Sequence, residues 1–252
     1  MKFSYEDLIS GDAIPVKDVG HLKSPLLRQL NPTQGVGTWT YNLYVNVLAW
    51  EKEDFLKFAR LTSGRPLSKL DNAKLTIFDT MTLIDSTREL LQKAMAFFMQ
   101  ENLTWDSEHR LFISTDDKGE AIGHIDRDNF EEVRDMMLQL NYIGLGKNAK
   151  PLKHSSKEAK ELWERAQKYL KDESAKPQKD KTMSIGNIIS KLCAASTSYN
   201  LLNIYDLTIF QLYDQFFQYG YLRAANLNEM AFCNHGGKDF DMQAWLKPLT
   251  NF

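Results

Sequence analysis

Through the stretch "NIYDLTIFQLYDQFFQYGYL" the polar positions Thr208, Gln211, Gln215 and Gln218 recur at spacings of 3, 4 and 3. On a helix they make one narrow stripe, and nearly everything else around the cylinder is apolar or aromatic. Between Leu207 and Leu222 the single formal charge is Asp214. Each of Phe210, Tyr213, Phe216, Phe217, Tyr219 and Tyr221 can bury roughly 150–250 Å². At about 25 cal/mol per Å² that is roughly 4–6 kcal/mol of gross transfer energy per ring. The pattern therefore predicts a helix covered on most sides, by its own chain or by a partner. Tyrosine tolerates a half-wet site because its hydroxyl keeps a polar partner while the ring packs. Tyr205, Tyr213, Tyr219 and Tyr221 are accordingly the expected partner-binding residues, with the phenylalanines pointing inward.

Elsewhere the patterning is helical with one clear exception. The first thirty residues read as loop and short turns, with "SPLLRQL" a brief helix capped by Ser24 and opened by Pro25. "WTYNLYVNVLAWEKEDFLKFARLTSG" reads as one bent helix or two abutting ones stopped by Gly64, although "NLYVNVL" also fits a strand. Ser86 with Glu89 predicts a capping box before Leu90, Leu91, Ala94, Met95, Phe97 and Phe98. "RLFIST" and "AIGHI" alternate on either side of "DDKGE" and predict an antiparallel hairpin, which "LTWD" extends if it forms a third strand. Asp128 with Glu131 predicts the cap of a helix carrying Phe130, Val133, Met137 and Leu140, ended by Gly144. Ser155 and Glu158 open a charged amphipathic helix, and "KDESAKPQKDKT" (171–182) has the composition of a flexible linker.

The expected fold is mainly α. A helical domain with one small β-hairpin spans 1–146, and a basic loop, amphipathic helix and linker span 147–183. A smaller aromatic-rich helical unit spans 184–252.

Composition narrows the class without naming an activity. The 252 residues are 43% hydrophobic and 25% charged, with a net charge of −2. That is an ordinary globular balance with no global pull toward nucleic acid or acidic membrane. Two cysteines, Cys193 and Cys233, suit a reducing compartment. "MKFSYEDLISGD" lacks the basic–apolar–small order of a signal segment. The aromatic helix is too short and too polar to span a bilayer. A protein of the cytoplasm is expected.

"CNHGGKDFD" is the stretch that most resembles a chemical site. Cys233, His235, Asp239 and Asp241 are metal-ligand types, and a Cys–His pair suits nucleophilic catalysis. No second ligand pair at zinc spacing accompanies them, and a Gly-Gly turn between helices accounts for the same residues. "GVG" at Gly35–Gly37 lacks the rest of a dinucleotide or phosphate fingerprint, and "STDDKGE" lacks the alternation of a calcium loop. Asp126 and Asp128 most simply compete as helix caps. The basic cluster Lys147, Lys150, Lys153, His154, Lys157 and Lys160 contains no arginine or aromatic, so it reads as a solvated loop and helix entry rather than a nucleic-acid site. No catalytic, cofactor-binding or metal residue is assigned, and no enzyme is expected.

Three stretches together carry a resemblance. They are "VGHLKSPLLRQLNPTQGVGTWTYNLYVNVL", "IGHIDRDNFEEVRDMMLQLNYIG" and "NIISKLCAASTSYNLLNIYDLTIFQLYDQFF". In this order they resemble proteins encoded in the tail-morphogenesis region of tailed bacteriophages and prophages of Gram-positive hosts. The resemblance implies a non-enzymatic tail assembly chaperone that binds another phage protein, such as the helical tape measure protein, in the cytoplasm of the bacterial host. The alternative it leaves open is a structural virion component of the tail or baseplate. A Cys–His hydrolase or metal protein around Cys233 and His235 stands third. No nucleic acid, membrane or cofactor is implied, and self-association stays open.

Overall fold

The computed structural model describes residues 3–53, 75–143 and 184–235. The expected charged helix and linker (147–183), the basic lysine cluster, Gly64 and the residues from 236 onward lie outside the described residues. The chain divides into two compact units. Of the described residues, 3–53, 75–143 and 205–211 belong to the first unit. Residues 184–204 and 212–235 belong to the second.

The first unit opens with helix α1 (Tyr5–Ser10), capped reciprocally by Ser4 and Asp7. Strands β1 (Ile14–Val16) and β2 (Gly20–Leu22) follow, antiparallel, with Ile14 opposite Leu22. After a 3-10 turn at Leu27–Leu30 come α2 (Gly37–Ala49), α3 (Ile77–Thr82) and α4 (Asp85–Phe97). Then β3 (Asn102–Asp106), β4 (Leu111–Thr115) and β5 (Ala121–Ile125) form a three-stranded antiparallel sheet in sequence order. Helix α5 (Phe130–Gln139) closes the run. Trp105 faces Phe112 across one ladder and Phe112 faces Ile125 across the next.

The expectation of a mainly α fold with a single hairpin is overturned. Among the described residues 55% are helical and 14% are in strands, distributed over two antiparallel sheets. The missed sheet has three-residue strands, too short to show a period of two. Tertiary partners hold it instead. Lys23 N–H donates to Phe98 O (2.9 Å), and Gln100 N–H donates to His21 O (3.0 Å). The buried Glu101 carboxylate accepts from His21 N–H (2.9 Å) and sits 2.6 Å from His21 Nδ1. On the other side His124 N–H donates to Asp18 O (2.9 Å).

The core of this unit is aromatic. Phe78 lies 6.0 Å from Phe112, 5.3 Å from Phe130 and 6.3 Å from Trp105, centroid to centroid. Helix α2 packs on α4 and α5, and α4 packs on β3. Arg88 covers Trp105, its guanidinium 5.2 Å from the ring centroid.

Several helix ends differ from the sequence expectation. Ser24 does not cap; it is buried, and its hydroxyl donates to Leu140 O (2.9 Å) while accepting from Phe210 N–H (3.3 Å). At α4 the residue before the helix is Ile84, and Ser86 lies inside the first turn without a capping bond. Ahead of α5, Asp126 prevails over Asp128: its carboxylate accepts from the N–H groups of Asp128 and Asn129 (2.9 and 3.2 Å). That helix ends before Gly144, because Tyr142 takes the left-handed conformation (φ 62°) and Ile143 N–H returns to Leu138 O (3.0 Å).

In the second unit, α6 (Ile185–Ala195) begins at Ser184, whose hydroxyl accepts from Asn187 N–H (3.3 Å). It buries Ile185, Ile188, Ile189 and Leu192. Helix α7 runs from Ile209 to His235, and its residues from Leu212 onward belong to this unit.

Candidate partner-binding surface

Helix α7 is 27 residues long, about 40 Å at 1.5 Å per residue. Its start is fixed by a capping box that the stripe of polar residues had concealed. Thr208 Oγ1 accepts from Gln211 N–H (3.2 Å), and Gln211 Oε1 accepts from Thr208 N–H (2.9 Å). Gln211 also donates to Ile9 O (2.8 Å), and Ile209 N–H donates to Pro25 O (2.9 Å). Ile209, Phe210 and Leu212 are fully buried. The other half of the stripe, Gln215 and Gln218, faces a different environment.

Gln215, Gln218, Tyr219 and Leu222 fall at spacings of 3, 1 and 3, so they share one face of α7. That face and the end of α6 border a cleft of about 490 Å³ within the second unit. Tyr221 and Tyr199 also line it, and Leu192 and Ala195 supply its far wall. Among the described residues no acidic or basic side chain borders the cleft. Tyr199 is set by its own loop, where Ser196 Oγ accepts from the N–H groups of Ser198 and Tyr199 (3.0 and 3.2 Å). Uncharged walls with phenol and amide groups suit an apolar peptide segment held by a few hydrogen bonds.

The four tyrosines singled out from sequence stand in different surroundings. Tyr219 and Tyr221 line the cleft. Tyr213 does not; its ring stacks on Phe217 (6.4 Å, 21° between planes), and burial pushes its hydroxyl pKa up. Tyr205 is exposed and belongs to the first unit. The phenylalanines also divide. Phe210 is fully buried, as expected of an inward ring, but Phe216 is half-buried and Phe217 is 38% exposed, as open as Tyr219. Periodicity alone could not separate them, because which side of a helix is covered depends on its tertiary neighbours.

Beyond the cleft α7 continues with large side chains open to solvent. Leu222, Leu227, Met230 and Phe232 are exposed, as is Cys233, although most are apolar. The sequence stripe stops at Gln218 and gave no sign of this continuation. Leu201 and Leu202 are also exposed, Leu202 to 92%, beside a shallow depression that reaches Cys193. Burial raises the Cys193 thiol pKa, which lowers its reactivity at neutral pH.

The suspected chemistry at "CNHGGKDFD" gains nothing here. Cys233 lies on an exposed helical surface, while Asp239 and Asp241 lie outside the described residues. Among the described residues no group of three His, Cys, Asp or Glu side chains could hold a metal ion. Among those residues also, no helix is long and apolar enough to cross a membrane.

No curated protein and no solved structure matches the chain. Residues 176–250, which include the cleft's α6 and α7, match the family model described as the YomV second domain. That family is of phage type, so the C-terminal part of the chain is similar to a phage domain and fits a phage protein.

Proposed function

We propose that the chain is a non-enzymatic phage tail assembly protein, a chaperone that holds a helical stretch of another phage protein during morphogenesis. The observation that carries this reading is the exposed apolar side of α7, where Leu222, Leu227 and Met230 are open to solvent next to the tyrosine-lined cleft. Large apolar side chains grouped in this way mark an interaction surface more often than an idle one. An amphipathic partner helix laid along such a surface would place its apolar side chains into the cleft and against α7. The tape measure protein, long and helical, is the partner that the tail-morphogenesis resemblance suggests, and the host cytoplasm is where the encounter would take place.

Affinity purification of the tagged chain from infected cells, followed by mass spectrometry, tests this reading. The expected result is one predominant phage protein rich in predicted helix, recovered with wild type and lost with Leu227→Ser/Met230→Ser. Recovery of the chain itself in purified virions, at fixed stoichiometry with tail proteins, would overturn the chaperone in favour of a structural tail or baseplate component.

A further inference from the structure

The exposed face of α2 differs from an ordinary solvated helix face. All thirteen residues of α2 are uncharged, and no Asp, Glu, Lys or Arg occurs from Gln29 to Trp50, in a chain that is 25% charged. Tyr41, Val45, Val47 and Leu48 are buried against the first unit. On the outside, Trp39, Asn42, Asn46 and Ala49 are all exposed, at spacings of 3, 4 and 3. They make a single stripe. Trp39 is 77% exposed, far more open than the other described aromatics.

We propose that this stripe is where two copies of the chain meet, with their α2 helices antiparallel about a two-fold axis at Tyr44. The arrangement follows from the order of the residues. An antiparallel two-fold at position 44 sets Trp39 of one copy against Ala49 of the other, and Asn42 against Asn46. The largest side chain on the stripe thus meets the smallest, twice over, which is the complementarity an isologous contact requires. The asparagines meet near the axis, where each amide is both donor and acceptor and so can pair with its own kind. A buried asparagine pair of this type fixes register between helices. A neutral face also meets itself without like-charge repulsion. Depletion of charge with a tryptophan anchor is the composition of interface centres. One helix stripe is small beside the roughly 800 Å² per partner of a standard interface, so the association is weak and rises with concentration.

Sedimentation velocity of the full chain over a wide concentration range tests the proposal. Wild type is expected to pass from one to two chain masses as concentration rises. Trp39→Ala, Asn46→Glu and Ala49→Trp should each weaken dimerisation at least tenfold while leaving the melting temperature unchanged, since all three positions are exposed. The double variant Trp39→Ala/Ala49→Trp exchanges large and small ends and should regain the dimer. A monomer at every concentration would overturn the proposal and leave the stripe to a different protein. So would a dimer indifferent to Trp39→Ala and Asn46→Glu. Single variants that dissociate without rescue by the exchange would overturn the pairing about Tyr44.

Discussion

Arg127 grips Asp79 with two nitrogens: Nη2 lies 2.8 Å from Oδ1 and 2.7 Å from Oδ2, and Nε lies 3.2 Å from Oδ1. The same carboxylate accepts from the N–H and hydroxyl of Thr76 (2.9 and 2.8 Å), closing the capping box of α3. One buried side chain thereby ties the turn after β5 to the start of α3. Burial by itself would raise its pKa, but the bonds from Arg127 and Thr76 outweigh that and hold it below the ordinary 3.8.

Replacing Asp79 by Ala removes the N3 half of a capping box and a charge-assisted pair together. Cap loss costs about 1 kcal/mol, and hydrogen bonds to charged groups contribute about 1.5–3 kcal/mol. Because Arg127 is half in solvent, we expect a total of roughly 2–3 kcal/mol, read from urea unfolding. The sign of the pH effect follows from a depressed folded pKa. The stabilisation is fully present above the unfolded value near 3.8 and is lost as pH falls through the lower folded value. Asp79→Asn should therefore flatten the acid limb of the stability–pH curve and leave its neutral shape alone.

Phe210 and Phe217 should behave as different residues despite lying on one helix. Phe210→Ala opens a cavity in a fully buried site and should cost about 3–5 kcal/mol. Phe217→Ala, at a ring 38% exposed, should cost about 1 kcal/mol, mostly from the stack with Tyr213. Thermal melts of the two variants measure the difference, and equal losses would show that Phe217 is core.

Tyr219→Ala and Tyr221→Ala should lower pull-down of the helical partner several-fold while changing the melting temperature by no more than a few degrees. Both rings line the cleft without closing the core. Binding that falls only in proportion to unfolding would remove the cleft from the partner surface.

Gly123 is held by space alone. A Cβ there would come within 2.4 Å of Asp18 O, where β5 meets the turn between β1 and β2. Gly123→Ala should therefore separate these two sheets and destabilise by about 2 kcal/mol or more. Hydrogen exchange should show the loss of protection first at His124 N–H, which donates to Asp18 O.

Cys233→Ser with His235→Asn should leave both partner recovery and phage yield close to wild type. Cys233 is solvent-exposed on α7. Loss of infectivity by a normally melting double variant would restore a chemical role to the pair.

The sequence by itself determined the elements whose cause is local. The "RLFIST/AIGHI" alternation became β4 and β5, "LTWD" became part of β3, and the 3.6-residue spacing of Phe130, Val133 and Met137 became the buried face of α5. In β4 and α5 the period of the side chains already encodes which face is covered. Tertiary structure decided the rest. Strands β1 and β2 are too short to carry a period and exist because segment 98–101 and His124 supply partners across long sequence separations. Ser24 left its helix end for Leu140 and Phe210, a choice no local pattern states. The aromatic helix was legible as a helix, but not as to which rings stay wet. A side chain's exposure depends on what the rest of the fold brings against it, and here Tyr219, Leu222, Leu227 and Met230 stay open to solvent while Phe210 is buried.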